Sequence, residues 1–246
     1  YMGVSQFKGF LPRYGGCEAL AVARLGDWVD EPNDAFLLGG YVHAWNSGGL
    51  PEFMALNPGL FKKDGSLYAK FAIGDDLINT LREDPLIEKA REGQKEVIMT
   101  GELFGMPWKT MIDIYNPKLK VITDLKTCRE IYKTYWNEET REHLNFILHW
   151  GYDWQMAVYA EIERQFRGGE DYFQPHIIAV SKEDPPDKEI IHFGTEFIPD
   201  VLAEMEVYAE RIKGLWQGEI EPIGCGSCSY CRSKKKLTGT VYYMDV

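Results

Sequence analysis

The chain has 246 residues, 45% of them hydrophobic and 26% charged, which excludes disordered and fibrous classes. No window reaches the roughly 18 uninterrupted apolar residues of a membrane span. The opening YMGVSQFKGF lacks a basic segment followed by an apolar run, so a cytoplasmic protein with one domain over 1–246 is expected. With 27 basic against 38 acidic side chains the net charge is −11, which by itself opposes binding to nucleic acid or anionic lipid.

In chain order, the hydrophobic period predicts short helices over 17–25 and 34–46, the second interrupted at Gly39-Gly40. A loop rich in Gly, Pro and Asn is expected from Ser47 to about Ser66, then a helix pair hinged at Pro85 and closed by Gly93. Residues 1–94 thus form a helical N-terminal part. The runs EVIMTGELFG, PWKTMIDIYN and KLKVITDLKT read as three strands of a meander, separated by Gly105-Met106-Pro107 and Asn116-Pro117. A long helix is expected from about Arg141 through Arg167, then strands in FQPHIIAVS and KEIIHFG, then a helix opened by Pro199 and running to about Trp216. The catalytic sheet and helices would occupy 95–217 and a cysteine-containing segment 218–246, an α/β or α+β arrangement.

Two acids interrupt the apolar strands, Asp113 in TMIDIY and Asp124 in VITDLKT. Both are costly in a sheet unless a cation is near. Asp124 and Lys126 share a strand face, and an antiparallel partner can bring Asp113 beside them. Two carboxylates and a lysine suit Mg²⁺ or Mn²⁺ with an oriented or deprotonated water; the alternative is an ion-pair network. Glu102, one strand earlier, is either a further catalytic acid supporting a second metal or the partner of Lys109. Between Trp108 and Lys133 six basic residues face three acids, and Arg232, Lys234, Lys235 and Lys236 form a second basic cluster. Each can grip phosphates or simply solubilise a surface.

Asp113 with Asp124-Leu125-Lys126, His43 in GGYVHAW, and Gln155 and Tyr159 in YDWQMAVYAEI together resemble the RecB-type branch of the PD-(D/E)xK nuclease superfamily. The segments GELFGMPWKTMID and ITDLKT look most like phage and prophage exonucleases related to RecE. The resemblance implies a restriction-endonuclease-like core, a central mixed sheet flanked by helices. It implies that His43, Asp113, Asp124 and the Leu125 carbonyl hold a divalent metal and that Lys126 positions the attacking water. It further implies that Gln155 and Tyr159 shape the site and contact DNA. Read alone, His43 is more often a satisfied core histidine than a ligand, and Gln155 and Tyr159 an ordinary i, i+4 pair.

Five cysteines are an odd number, and Cys225, Cys228 and Cys231 share one short stretch. That points to thiol metal chemistry rather than a disulfide scaffold, with Cys17 as the natural fourth ligand and free thiols as the alternative. Cys128 reads as a small buried hydrophobe. Some RecB-type nucleases are similar in holding an iron–sulfur cluster with one early and three late cysteines. Here the last gap is shorter and Lys234 stands where their final cysteine is expected, so zinc is the second possibility.

The function expected is a metal-dependent exonuclease on double-stranded DNA ends, acting in phage-type recombination beside a single-strand annealing protein, as a monomer or homo-oligomer and without a membrane. The alternatives are a restriction-like or structure-specific endonuclease, and a non-catalytic DNA-end or protein-binding module with a structural cysteine–metal site.

Overall fold

Phe104 and Gly105 both adopt positive φ, 55° and 65°, as the two-residue type I′ hairpin turn requires. The computed structural model describes residues 1–30, 33–138 and 140–245. In chain order these form α1 (Val4–Gly9), α2 (Glu18–Leu25), α3 (Asp34–Ser47), α4 (Leu50–Leu56), α5 (Ile73–Arg82), α6 (Pro85–Ala90) and the strands β1 (Gln94–Leu103), β2 (Met106–Asn116) and β3 (Val121–Cys128). A small hairpin follows, β4 (Thr134–Asn137) and β5 (Glu142–Asn145), then α7 (Phe146–His149) and α8 (Tyr152–Arg167). The chain continues through β6 (Gln174–Ser181), β7 (Lys188–His192), α9 (Phe197–Gln217) and α10 (Ser229–Lys234). Among the described residues no helix is long and apolar enough to cross a membrane.

The chain packs as two compact units, one of residues 1–4 and 31–207, the other of 5–30 and 208–246. The larger holds a five-stranded sheet in the order β1-β2-β3-β6-β7. β1, β2 and β3 are the predicted antiparallel meander, β3 and β6 are parallel, and β7 returns antiparallel. A parallel pair needs a long crossover, and the segment from β4 through α8 supplies it. Alternation then divides the sheet faces. Leu125, Ile178 and Val180 pack against Leu38 and Val42 of α3 and Leu77, Ile78 and Leu81 of α5. Cys128, Ile177 and Ala179 point the other way, onto Met156 of α8. This is the expected mixed sheet flanked by helices.

The smaller unit buries Phe7, Phe10, Leu20, Ile212 and Leu215. Glu18 joins its two chain segments, accepting from Arg211 Nε and Nη2 at 2.7 and 2.8 Å and from the Ile223 N–H at 2.8 Å.

Three local expectations need correction. Helix α3 runs unbroken through Gly39-Gly40; a Cβ at Gly40 would lie 2.9 Å from the Phe53 ring, so that glycine serves close packing rather than a break. The expected loop after Ser47 contains α4, started by Pro51 in its first turn. The expected long helix from Arg141 is instead strand β5, then α7 and α8, with Arg141 itself at φ 55° in the β4–β5 turn. Gly151, at φ 62°, separates α7 from α8. By contrast, α6 starts at Pro85 as predicted, with the Asp84 carboxylate capping Leu86 N and Ile87 N.

Candidate active site

β2 and β3 pair only through Asn116↔Val121, Tyr115↔Ile122 and Ile114↔Thr123. Asp113 and Asp124 stand one step beyond the last pair, where the strands part. Asp113 Oδ2 fills the gap by accepting the Leu125 N–H at 2.8 Å. His43, on α3, places Nδ1 3.4 Å from the same oxygen. On the α8 side of β3, Lys126 Nζ lies 2.7 Å from Asp124 Oδ2, and Gln155 Nε2 donates to Asp124 Oδ1 at 2.7 Å. Tyr159, one turn on from Gln155, is part-buried in the cluster between α8 and the sheet. The structure therefore brings together His43, Asp113, Asp124, Leu125, Lys126, Gln155 and Tyr159.

The electrostatics follow from burying these charges. Asp113 is 5% exposed and Asp124 2%. Burial would raise the Asp113 carboxyl, but the hydrogen bond and charge of His43, the Leu125 N–H and the Lys126 charge hold it below the usual range. Asp124 goes the other way, raised by burial and by the Asp113 charge against the pull of Lys126 and His43. Burial opposes the charged forms of His43 and Lys126 too, yet both are raised by the carboxylates they face. Lys126 is thus a firm ammonium, suited to donating hydrogen bonds to a water or a phosphoryl oxygen rather than to taking a proton. Burial, then the Asp124 and Asp113 charges, raise Tyr159 and keep it a neutral phenol.

The residues fit a hard divalent cation. Asp124 Oδ2 is buried with the Lys126 ammonium 2.7 Å away, so one lysine and one histidine face two buried carboxylates. Two carboxylates, an imidazole and a strand carbonyl are an oxygen-rich donor set of the kind Mg²⁺ and Mn²⁺ take.

Glu102 is not brought to this cluster. Its register partner is Pro107 beside the hairpin turn, with Lys109 a diagonal neighbour on the same face. Asp113 lies six residues farther along β2, about 20 Å away at the rise of a strand. Gln165 holds the Glu102 backbone from both sides, donating to its carbonyl and accepting from its N–H, each at 2.9 Å. Conversely, the sequence reading gave Tyr152 no role, yet its ring lies 4.5 Å from Lys126 Nζ. Its position three residues before Gln155, on the same helix face, was the available signal.

The cysteines form a separate cluster within the smaller unit. The Sγ atoms of Cys17, Cys225, Cys228 and Cys231 all lie within 4.8 Å of one another, with Cys17 and Cys231 3.7 Å apart. Backbone N–H groups point at three of the sulfurs: Cys225 N to Cys17, Cys228 N to Cys225 and Cys231 N to Cys228, at 3.3, 3.3 and 3.4 Å. Such donors stabilise thiolates; the Ser227 hydroxyl and the backbone N–H groups lower the Cys225 thiol to about 6. Four sulfurs so placed can hold a metal ion. Cys128 is buried apart from them, its thiol donating to the Val180 carbonyl at 3.7 Å.

Comparison with known proteins agrees with this geometry. Residues 3–234 match the family described as "PDDEXK-like domain of unknown function (DUF3799)". A Eubacterium rectale crystal structure named "Putative exonuclease" is 38% identical, covers 100% of this chain and 92% of its own, and superposes with a TM-score of 0.92. A second solved structure, SSO0001, aligns over 87% of this chain and 90% of its own at 13% identity, and its TM-score of 0.30 carries no argument. No curated protein matches. With the match running over nearly its whole length and the acids and lysine gathered at one strand opening, the chain belongs to the PDDEXK-like family.

Proposed function

We propose that this protein is a divalent-metal-dependent deoxyribonuclease that removes nucleotides from duplex ends. The observation that carries the reading is the pair of buried carboxylates meeting Lys126 and His43 where β2 and β3 part. Asp113, Asp124, His43 and the Leu125 carbonyl would hold the ion. When bound, it supplies Lewis acidity toward the phosphoryl oxygen and makes water acidic enough to attack at neutral pH. Lys126, fixed by Asp124, donates to the attacking water or the phosphoryl oxygen as negative charge develops. Gln155 keeps Asp124 in one rotamer, and the Leu125 N–H does the same for Asp113. The exonuclease assignment is supported by the Eubacterium rectale relative, whose printed name is that of an exonuclease. A role in phage-type recombination with an annealing partner extends the same reading.

The cysteine cluster would hold a structural metal. At a metal–sulfur distance of about 2.3 Å a tetrahedral ion sets its sulfurs about 3.8 Å apart, close to the 3.7 Å between Cys17 and Cys231. A four-iron cluster binds each thiolate to a different iron and spreads the sulfurs farther. The spacing supports a single zinc-like ion over an iron–sulfur cluster.

Incubating linear and covalently closed circular duplex with Mg²⁺ tests the proposal. Loss of the linear form alone supports it, nicking of circles replaces it with an endonuclease, and no hydrolysis of either form leaves a binding module.

A further inference from the structure

From Gly224 to Met244 the chain carries four basic residues, Arg232, Lys234, Lys235 and Lys236, and no acid, although its net charge is −11. Tyr230, Cys231 and the three lysines line a cavity of about 470 Å³ within the smaller unit, and no carboxylate lines it with them. All three lysines are exposed, and among the described residues none of them makes an ion pair. Lys70, Lys120, Lys133 and Lys188, by contrast, each hold a carboxylate.

The cysteine cluster fixes where these charges stand. Helix α10 has six residues, too few to be stable alone. Cys228 Sγ caps it by accepting the Cys231 N–H at 3.4 Å, Arg232 Nη1 donates back to the Ser227 carbonyl at 2.6 Å, and the Tyr230 ring meets Trp28 edge-on at 5.2 Å. Lys234 Nζ then lies 5.9 Å from the Tyr230 ring. Two simpler uses of the charges fall short. The last turn of a helix favours cations, which accounts for Lys234 but not for Lys235 and Lys236 beyond it. A dication bound by four thiolates keeps a charge of about −2, which four basic residues exceed.

We infer that Lys234, Lys235 and Lys236 grip backbone phosphates of the duplex substrate, a contact made by the smaller unit in addition to the hydrolytic cluster. This rests on the nuclease reading above and names where the duplex is held. Lysine ammonium groups meet phosphates as point charges and read no sequence, so the grip serves every duplex alike. Each contact releases condensed counterions, which makes binding steeply dependent on salt. The lysines hold the duplex and take no part in the chemistry.

The test is binding of a fluorescein-labelled duplex of about 30 base pairs to the full chain, by anisotropy without added Mg²⁺, between about 50 and 200 mM salt. At about 0.9 per phosphate contact, Lys234→Ala, Lys235→Ala and Lys236→Ala combined should make the slope of log K against log salt shallower by about 2.7. Lys234→Arg, Lys235→Arg and Lys236→Arg combined should keep the wild-type slope, and the alanine variant should keep its cysteine-bound metal. An alanine variant with the wild-type slope overturns the grip. So does one that has lost the metal, because the lysines then serve the charge of the cysteine cluster. Calorimetric binding of thymidine 5′-monophosphate to the wild type but not to the alanine variant also overturns it, because the cavity then takes a free nucleotide. The nuclease reading fails separately, if the wild-type chain with Mg²⁺ hydrolyses no DNA.

Discussion

Asp113 and Leu125 are joined by a side-chain to backbone hydrogen bond of 2.8 Å across the opening between β2 and β3, and the oxygen that makes it also faces His43. The carboxylate thus replaces a lost ladder bond and serves the site at once. Asp113→Asn keeps the size of the side chain but removes the charge that raises His43. Hydrolysis should be lost. Thermal unfolding should show a modest decrease in stability, about 1 kcal/mol, because the amide oxygen still accepts the Leu125 N–H.

Lys126→Ala should lower kcat by about 10²–10³, the range for loss of one donor to the developing charge, while calorimetric Mg²⁺ affinity changes little. Asp124→Asn should instead weaken Mg²⁺ binding together with activity. Gln155→Ala, which frees Asp124 Oδ1, should cost about 10–100-fold in metal affinity or rate. A Lys126→Ala variant with near-normal turnover at saturating metal would assign the ammonium to structure alone.

Loss of one cysteine should act on stability rather than chemistry. Metal analysis should return one zinc-like ion per chain, absent from Cys17→Ser, with the melting temperature lowered in that variant and by a strong chelator. Active-site variants should leave this metal in place.

Glu18 sets a pH dependence in the smaller unit. The hydrogen bond from Arg211 holds its carboxyl below the ordinary glutamate value of 4.5 against the opposing effect of burial. A depressed folded pKa contributes stability that is present above 4.5 and disappears as pH falls through the folded value. Glu18→Gln should therefore destabilise the chain by about 1 kcal/mol at pH 7. The difference from wild type should shrink as pH falls through the depressed folded value of Glu18, as chemical denaturation at a series of pH values would show.

Glu163 is wholly buried and held by Tyr115 Oη at 2.9 Å and Arg167 Nε at 2.8 Å. Arg167→Ala leaves that carboxylate without its cation and should cost about 3 kcal/mol in chemical denaturation. Lys120→Ala, which breaks an exposed pair with Asp171, should leave the denaturation midpoint nearly unchanged.

The meander, its second turn after Asn116 and the position of Asp124 relative to Lys126 were legible because they follow from alternation and turn chemistry within about 35 residues, whereas the first turn falls at Phe104-Gly105 and Met106 and Pro107, expected in it, belong to β2. His43 entered only through resemblance, since nothing local to α3 announces that it meets β2. The opening between β2 and β3 was invisible, because it depends on where a ladder stops. Glu102 illustrates a readable error. A two-residue turn at Phe104-Gly105 already fixes the register that pairs Glu102 with Pro107, far from Asp113. The β4–β5 hairpin was missed because the run from Arg141 toward Arg167 was taken as one helical period, although Thr134, Tyr135 and Trp136 favour a strand.

The most direct measurement is release of nucleotides from an end-labelled linear duplex by wild-type protein and Asp124→Asn, each with and without Mg²⁺. The account predicts release by the wild type only when Mg²⁺ is present, and none by Asp124→Asn under either condition. Metal-independent release, or undiminished release by Asp124→Asn, would contradict it.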